Sequence, residues 1–117
     1  MGEETVISRN VTRRTKVLTV SEILNKDKFS DFSLARIELN GVNDKGLNQD
    51  CGALYMVVDG EGQFTIFGEK ENRVIEVKKG DSVFIPKGTW YQDQGKMTMY
   101  SICSPAFNPE KVKIAKE

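Results

Sequence analysis

Residues 80–95, GDSVFIPKGTWYQDQG, contain the clearest strand–turn–strand pattern in the sequence. The apolar run 83–85 is bounded by turn-forming residues, which is typical of a short buried strand. Pro86 and Gly88 then supply a tight reversal, because proline presets φ and glycine accepts a positive φ. Two aromatic residues follow at once, where a chain re-entering a sheet places its first side chains. The stretch therefore predicts two neighbouring strands joined by a turn.

Further segments of the chain have the composition or the alternation of strands: 16–20, 32–39, 51–59, 63–67, 73–78 and 97–103. The sequence DGEG at 59–62 predicts a hairpin turn, and the Asn-, Asp- and Gly-rich stretch 40–50 predicts a loop. Ser21 is a candidate N-cap for a short helical turn over 22–28. Many short strands separated by turn signals indicate an all-β barrel or sandwich.

Length and charge exclude several classes of protein. The 117 residues suffice for one domain with its own core. Lysine plus arginine equals aspartate plus glutamate at 17 each, which argues against nucleic acid as a partner. No apolar stretch approaches the roughly 20 residues that cross a bilayer, and residues 1–10 do not resemble a signal peptide. With two cysteines and no disulfide framework, we expect a reduced, cytoplasmic protein with no membrane partner.

Histidine is absent from the sequence. No side chain therefore has an unperturbed pKa between about 5 and 8. Acid–base chemistry here must use a carboxyl, cysteine, lysine or tyrosine whose pKa is shifted. The commonest transition-metal ligand is missing as well, so we expect no metal and no other cofactor.

The stretch that begins at Gly80 resembles the second conserved motif of the cupin superfamily, the small β-barrels of jelly-roll type. Pro86 and Gly88 stand at the spacing of that motif. Tyr91 occupies the place of its histidine, and Gly95 occupies the place of its asparagine. The resemblance thus extends to the scaffold residues of the motif and not to its metal ligand.

The segment YMVVDGEGQF resembles the strand and turn of the first cupin motif, with Gly60 at the final glycine. The glutamate position of that motif falls on Ala53. Its histidine pair falls, depending on the spacer, near Leu47 and Gln49 or near Gly46 and Asn48. A typical cupin metal site has three imidazoles and one carboxylate, and this chain keeps none of the four. The metal-dependent activities of the family are therefore not expected here.

The resemblance implies an all-β fold, a single-domain cupin-type jelly-roll β-barrel with the short helical turn near the N-terminus. We expect the barrel to occupy residues 15–110. A flexible or partner-contacting segment, 1–14, precedes it, and a charged tail, 111–117, follows it. Small cupins commonly dimerise, and the strand within 15–20 can add to a neighbour's sheet. We therefore expect a homodimer.

Strand parity places the candidate ligand site inside the barrel. If Ala53 points inward, then Cys51 and Tyr55 do so as well, because side chains alternate along a strand. Tyr91 faces them from another strand, with Asp93 two residues later. The predicted ligand-binding residues are Asn48, Gln49, Cys51, Ala53, Tyr55, Trp90, Tyr91 and Arg36. The predicted catalytic residues are Tyr91, Tyr55 and Cys51.

Each of these residues also has a purely structural interpretation. Cysteine is among the residue types that are most often buried, so Cys51 can be a small core residue. Tyr55 can pack its ring and satisfy its hydroxyl locally, and Trp90 can cover the core or a dimer contact. Arg36 and Glu38 are two residues apart on one strand and can form an exposed ion pair, which leaves the direction of Arg36 open.

Three functions are compatible with these features. The first is a metal-free domain that binds a small polar or carbohydrate-like molecule inside the barrel. The second is a metal-independent isomerase, epimerase or lyase, in which Tyr91 or Tyr55 donates a proton and Asp50, Asp93 or Cys51 acts as base. The third is a structural dimerisation module with a filled barrel. The sequence favours binding over catalysis by a small margin and does not identify the ligand.

Overall fold

The computed structural model describes residues 11–27 and 29–115, and these residues form an all-β fold. They contain nine strands: β1 Val11–Arg14, β2 Leu18–Leu24, β3 Ser33–Val42, β4 Gly46–Asn48, β5 Gly52–Phe67, β6 Asn72–Lys78, β7 Ser82–Ile85, β8 Trp90–Ser104 and β9 Val112–Ile114. A short 3₁₀ turn, Pro109–Lys111, precedes β9. Within the described residues, no helix is long and apolar enough to cross a membrane.

The two longest strands, β5 and β8, organise the sheet. They pair antiparallel along almost their whole length, from Gly52 opposite Ser104 to Phe67 opposite Trp90. Strands β6 and β7 pair with β5, whereas β3, β2 and β1 follow one another on the other side of β8. Strands β4 and β9 continue the sheet beside the first half of β8. The sheet curls on itself, which confirms the predicted all-β barrel architecture.

The ribbon of β5 and β8 bends in the middle. The register of β5 shifts between Val57 and Asp59, and Gly95 on β8 has a φ of 135°. The bend turns the two halves of the ribbon toward each other. As a result, Tyr55 in the first half of β5 hydrogen-bonds to Tyr91 in the first half of β8, although the two residues are not register partners.

The predicted hairpin turn at 59–62 is wrong. Strand β5 runs through these residues without reversing, so the two strands predicted at 51–59 and 63–67 are one strand with a bulge. Strand β8 is likewise continuous and includes the strand predicted at 97–103. Glycine and aspartate suit a bulge as well as a turn, and the long pairing between β5 and β8 decides between them.

The prediction of a helical turn over 22–28 is also wrong. Residues 22–24 end strand β2 and pair with β3, Glu22 opposite Ala35 and Leu24 opposite Leu34. Sheet pairing thus overrides the local capping signal. Lys28, the last residue of that predicted turn, lies outside the described residues.

The segments expected to be irregular contain additional strands. The predicted loop 40–50 includes the end of β3 and all of β4. The tail from residue 111 includes β9. Strand β1 lies in the segment 1–14, where it pairs with β2. Residues 1–10 of that segment lie outside the described part of the chain, and the domain boundaries stay a prediction.

Candidate functional site

A cavity of about 320 Å³ lies inside the barrel. This volume falls within the range of small-molecule sites. Side chains from β2, β4 and β9 form much of its apolar wall, including Leu18, Val20, Leu47 and Ile114. Its polar wall includes Asn43, Asn48, Tyr55, Tyr91, Asp93 and Ser101. The interior is therefore neither filled nor uniformly apolar.

Two tyrosines form the centre of the polar wall. The hydroxyl groups of Tyr55 and Tyr91 are joined by a short hydrogen bond. Their ring centroids are 5.9 Å apart, and Phe64 packs against both rings at centroid distances of 5.3 and 6.4 Å. Because Phe64 is fully buried, it restrains both rings and leaves their hydroxyls at the cavity.

Both phenols keep their protons at neutral pH. Burial raises the pKa of Tyr55 well above its ordinary value, and nearby Tyr91 and Asp93 raise it further. Burial also raises the pKa of Tyr91, outweighing the opposite effect of the hydrogen bond with Tyr55. One hydroxyl donates to the other within the pair, so the second keeps a proton that it can donate to a bound molecule.

A buried carboxyl group lies near the tyrosines. Asp93 is 3% exposed, and its Oδ1 accepts a hydrogen bond of 3.0 Å from Asn43 Nδ2. The backbone N–H of Asn43 donates to the carbonyl of Asp93 at 3.0 Å, and Gln92 Nε2 donates to the carbonyl of Asn43 at 2.8 Å. Burial raises the pKa of Asp93, and the hydrogen bond from Asn43 offsets only part of the shift. The carboxyl is thereby a candidate group for proton transfer.

The raised pKa of Asp93 predicts how stability depends on pH. Above the ordinary aspartate pKa of about 3.9, the unfolded chain releases this proton before the folded chain does. The wild type should therefore lose stability as pH rises from that value through the folded-state pKa. Asp93→Asn should be the more stable protein at neutral pH, and the difference should disappear in acid. Urea unfolding at a series of pH values measures this.

The exposed Asp50 provides the matched substitution, Asp50→Asn. It changes the same functional group without touching the buried site. If the free energies of unfolding of the wild type and Asp93→Asn stay parallel from acid to neutral pH, the described titration of Asp93 is wrong.

The cavity includes part of the ligand site predicted from the sequence. Asn48, Tyr55 and Tyr91 line it. Strand parity also placed Cys51 and Ala53 inward; both are buried, at 2% and 0% exposure, but they belong to the packed core and do not line the cavity. Their inward direction places them in the core behind the cavity wall, and their contact with a ligand stays a prediction.

Two other predicted ligand-binding residues, Gln49 and Trp90, lie away from the cavity. Gln49 follows the end of β4 and is exposed. Trp90 is half-buried, opposite Phe67, with the Lys45 Nζ atom 5.6 Å from its ring centroid. Neither residue lines the cavity, and their contact with a ligand stays a prediction.

The direction of Arg36, which the sequence leaves open, is now defined. Its Nη1 atom lies 2.7 Å from Glu38 Oε2. The two side chains are 42% and 52% exposed, and neither lines the cavity. An exposed pair of this kind contributes about 0–1 kcal/mol. Arg36 therefore forms the exposed ion pair outside the cavity, and its contact with a ligand stays a prediction.

Sequence reasoning missed four residues of the site. Asn43 lay in a predicted loop, and no local signal connects it to Asp93. Phe64 was assigned to a separate strand after the predicted hairpin turn, so alternation could not show whether it shares a face of the sheet with Tyr55. Ser101 and Cys103 line the cavity from β8; the alternation of the segment MTMYSIC was a signal that could have identified them.

The positions of the usual cupin metal ligands do not fit a metal. Ala53 offers a methyl group, Gln49 is exposed, and the Tyr91 hydroxyl is engaged by Tyr55. Within residues 11–27 and 29–115, no group of three or more histidine, cysteine, aspartate or glutamate side chains is arranged to hold a metal ion. The donor set needed for the usual cupin metals is therefore missing at these positions.

No family model and no curated protein matches the sequence. Solved structures do match the fold. Streptomyces PAC13, described as a unique nucleoside dehydratase, is 18% identical with a TM-score of 0.79, over 92% of this chain and 85% of that chain. Oxalate decarboxylase from Bacillus subtilis is 14% identical with a TM-score of 0.78, over 95% of this chain and 33% of that chain. This chain has a cupin-type fold.

The two neighbours differ in ways that bear on the site. Structures of the oxalate decarboxylase concern Mn(II) centres, whereas structures of PAC13 contain uridine. At these low identities the similarity establishes the fold alone. The chemistry of this chain depends on the residues of its own cavity.

Proposed function

We propose that the barrel binds a small, uncharged molecule with several hydroxyl groups, such as a nucleoside or a sugar. The observation that carries this proposal is the hydrogen-bonded pair of Tyr55 and Tyr91 on the wall of a cavity of about 320 Å³. Apolar walls with a few fixed polar groups are typical of small-molecule sites. Phenol, amide and carboxyl groups suit the hydroxyls of such a ligand.

The charges around the cavity favour a neutral ligand over a phosphorylated one. Its charged lining residues are Arg13, Glu22, Asp44 and Asp93, and none of the described lysines lines it. The guanidinium of Arg13 is already paired with Glu22, at 2.7 Å. Among the described lining residues, a phosphate group would therefore find no unpaired cation, and it would meet acidic side chains.

The structures of PAC13 suggest the first probe. They contain uridine bound to two tyrosine-to-phenylalanine variants and to a histidine-to-glutamine variant. The present chain also has tyrosine hydroxyls at its cavity but has no histidine. Uridine is therefore a reasonable probe of binding, while its conversion by the same chemistry does not follow.

Ligand-observed NMR and thermal unfolding with ribose, uridine and uridine 5′-monophosphate test this proposal. We expect ribose or uridine to bind and to raise the melting temperature. The monophosphate should bind at least tenfold more weakly than uridine. Absence of binding by every member of a broader panel of sugars and nucleosides, or tightest binding by the phosphate, would count against it.

Tyr91→Phe is expected to weaken ligand binding roughly tenfold, the loss of about one hydrogen bond. Titration calorimetry with the best ligand of the panel measures this. Tyr100→Phe is the matched control, because Tyr100 pairs with Met56 and Arg36 on the opposite face of β8 and does not line the cavity. Equal losses in the two variants would remove Tyr91 from the site.

A second candidate function is a metal-independent lyase. The closely placed acid groups favour it, and one structural neighbour is described as a dehydratase. In the elimination of water from a β-hydroxy carbonyl compound, the Asp93 carboxylate would take the α-proton. The C–O bond to the β-hydroxyl would break while a tyrosine donates its proton to the departing oxygen, forming water.

Proton exchange separates this candidate from simple binding. In D₂O, a lyase should exchange the α-proton of a β-hydroxy aldehyde that binds the cavity. Asp93→Asn should abolish the exchange while the ligand still binds. Exchange at the same rate in Asp93→Asn would exclude Asp93 as the base.

A further inference from the structure

Two cysteines lie close together in the barrel, but only one of them lines the cavity. Cys51 and Cys103 are both free and buried, at 2% and 5% exposure. Cys103 lies on β8, opposite Ser33 of β3 on one side and Ala53 of β5 on the other. It forms part of the cavity wall, whereas Cys51 does not. The two thiols therefore differ in what can reach them.

The surroundings of Cys103 favour its thiolate. Ser101 Oγ lies 3.8 Å from its sulfur, and a weak hydrogen bond joins the two side chains. The neighbouring Cys51 thiol lowers the pKa of Cys103, and Ser101 and Ser33 lower it further, although burial opposes the shift. The contact with Cys103 and burial raise the pKa of Cys51. Because thiolates are the nucleophilic form, Cys103 is the more reactive of the two.

The cavity provides a route to Cys103 for small molecules. Its lining includes residues that are exposed at the surface, among them Arg13, Asp44 and Ile114. Cys103 itself is almost fully buried, so a bulky reagent cannot reach it without unfolding of the chain. Access is therefore selective for reagents that fit the cavity.

We propose that Cys103 is a covalent modification site for small α,β-unsaturated carbonyl compounds that enter the barrel. Its thiolate sulfur adds to the β-carbon, so that a C–S bond forms and the C=C π bond breaks. The α-carbon then takes a proton from solvent. The addition needs no oxidant or reductant. This covalent addition is independent of the proposed reversible binding of a sugar or nucleoside. It requires only an accessible cavity and a nucleophilic thiol.

Labelling with N-ethylmaleimide, followed by intact-mass measurement and peptide mapping, tests this proposal. We expect the native protein to take up one adduct, on Cys103, at least tenfold faster than any adduct on Cys51. Cys51→Ser should still be labelled, and Cys103→Ser should lose the fast adduct. A maleimide carried on a long polyethylene glycol chain should label neither cysteine until the protein is denatured.

Three results would overturn the proposal: equal labelling of both cysteines, no labelling of the native wild type, or equally fast labelling by the bulky reagent. The last would show that labelling occurs through unfolding. Circular dichroism of both serine variants establishes that they are folded. Since uridine is absent from the experiment, failure of the proposed ligand and failure of this proposal are distinguishable.

Discussion

Gly95→Ala is expected to lower the free energy of unfolding by about 2–5 kcal/mol, a large part of the stability of a small domain. Gly95 lies at the bend of the β5–β8 ribbon with a φ of 135°, which an alanine adopts only with strain. Its Cβ would lie 2.5 Å from the Cα of Gly62 and 2.6 Å from the carbonyl oxygen of Glu61. Both contacts are with backbone, so no side chain can rotate away to relieve them.

The matched control is Gly80→Ala. Gly80 also has a positive φ, 97°, but a Cβ there would meet no atom within 4 Å. The free energy of unfolding of this variant should fall by only about 1–2 kcal/mol, the cost of holding an alanine at positive φ. Urea unfolding followed by circular dichroism compares the two variants. Equal losses would mean that close packing at the bend does not determine the cost.

A second pair of substitutions compares the free space beside Ala35 with the packed core around Ala53. Ala35 lines the cavity from β3, whereas Ala53 is 0% exposed in the packed core. Ala53→Leu should destabilise the fold by about 1–3 kcal/mol, because a close-packed core cannot accept the added carbons without strain. Ala35→Leu adds the same carbons to empty space, so its loss of stability should be clearly smaller.

The two alanine substitutions should rank in the opposite order for ligand binding: Ala35→Leu should lose more affinity than Ala53→Leu. Ala35→Leu occupies ligand space and should weaken binding at least a hundredfold, while folded Ala53→Leu should keep most of the affinity. Chemical denaturation and calorimetry give the two quantities for each variant. If Ala35→Leu is destabilised as much as Ala53→Leu, the interior beside Ala35 is already filled.

Alternation along strands was the most successful guide from sequence to structure. It placed Cys51, Ala53 and Tyr55 on one face of the same strand, and all three are buried. The resemblance to the second cupin motif, and not alternation, placed Tyr91 on a strand that faces Tyr55, and the hydroxyls of the two residues are hydrogen-bonded. Period-two alternation depends only on local backbone geometry, so it survives without knowledge of the partner strands.

Features set by distant residues were not predictable in this way. The sequence DGEG at 59–62 fits a hairpin turn locally, but Gly62 lies opposite Gly95 in the ladder, and that contact requires a continuous, bent strand. Asn43 acquires its role only because β3 and β8 are neighbours. Family spacing alone placed Gln49 at the cavity, and the end of β4 at Asn48 leaves it exposed. The homodimer and the cytoplasmic location stay predictions.

Calorimetric titration of uridine, or of a tighter ligand from the same panel, into wild type and Ala35→Leu tests ligand binding inside the barrel most directly. We expect one binding site per chain in the wild type and no measurable binding in the folded variant. Equal affinity in the two proteins would contradict the proposal, because the ligand would then bind outside the cavity.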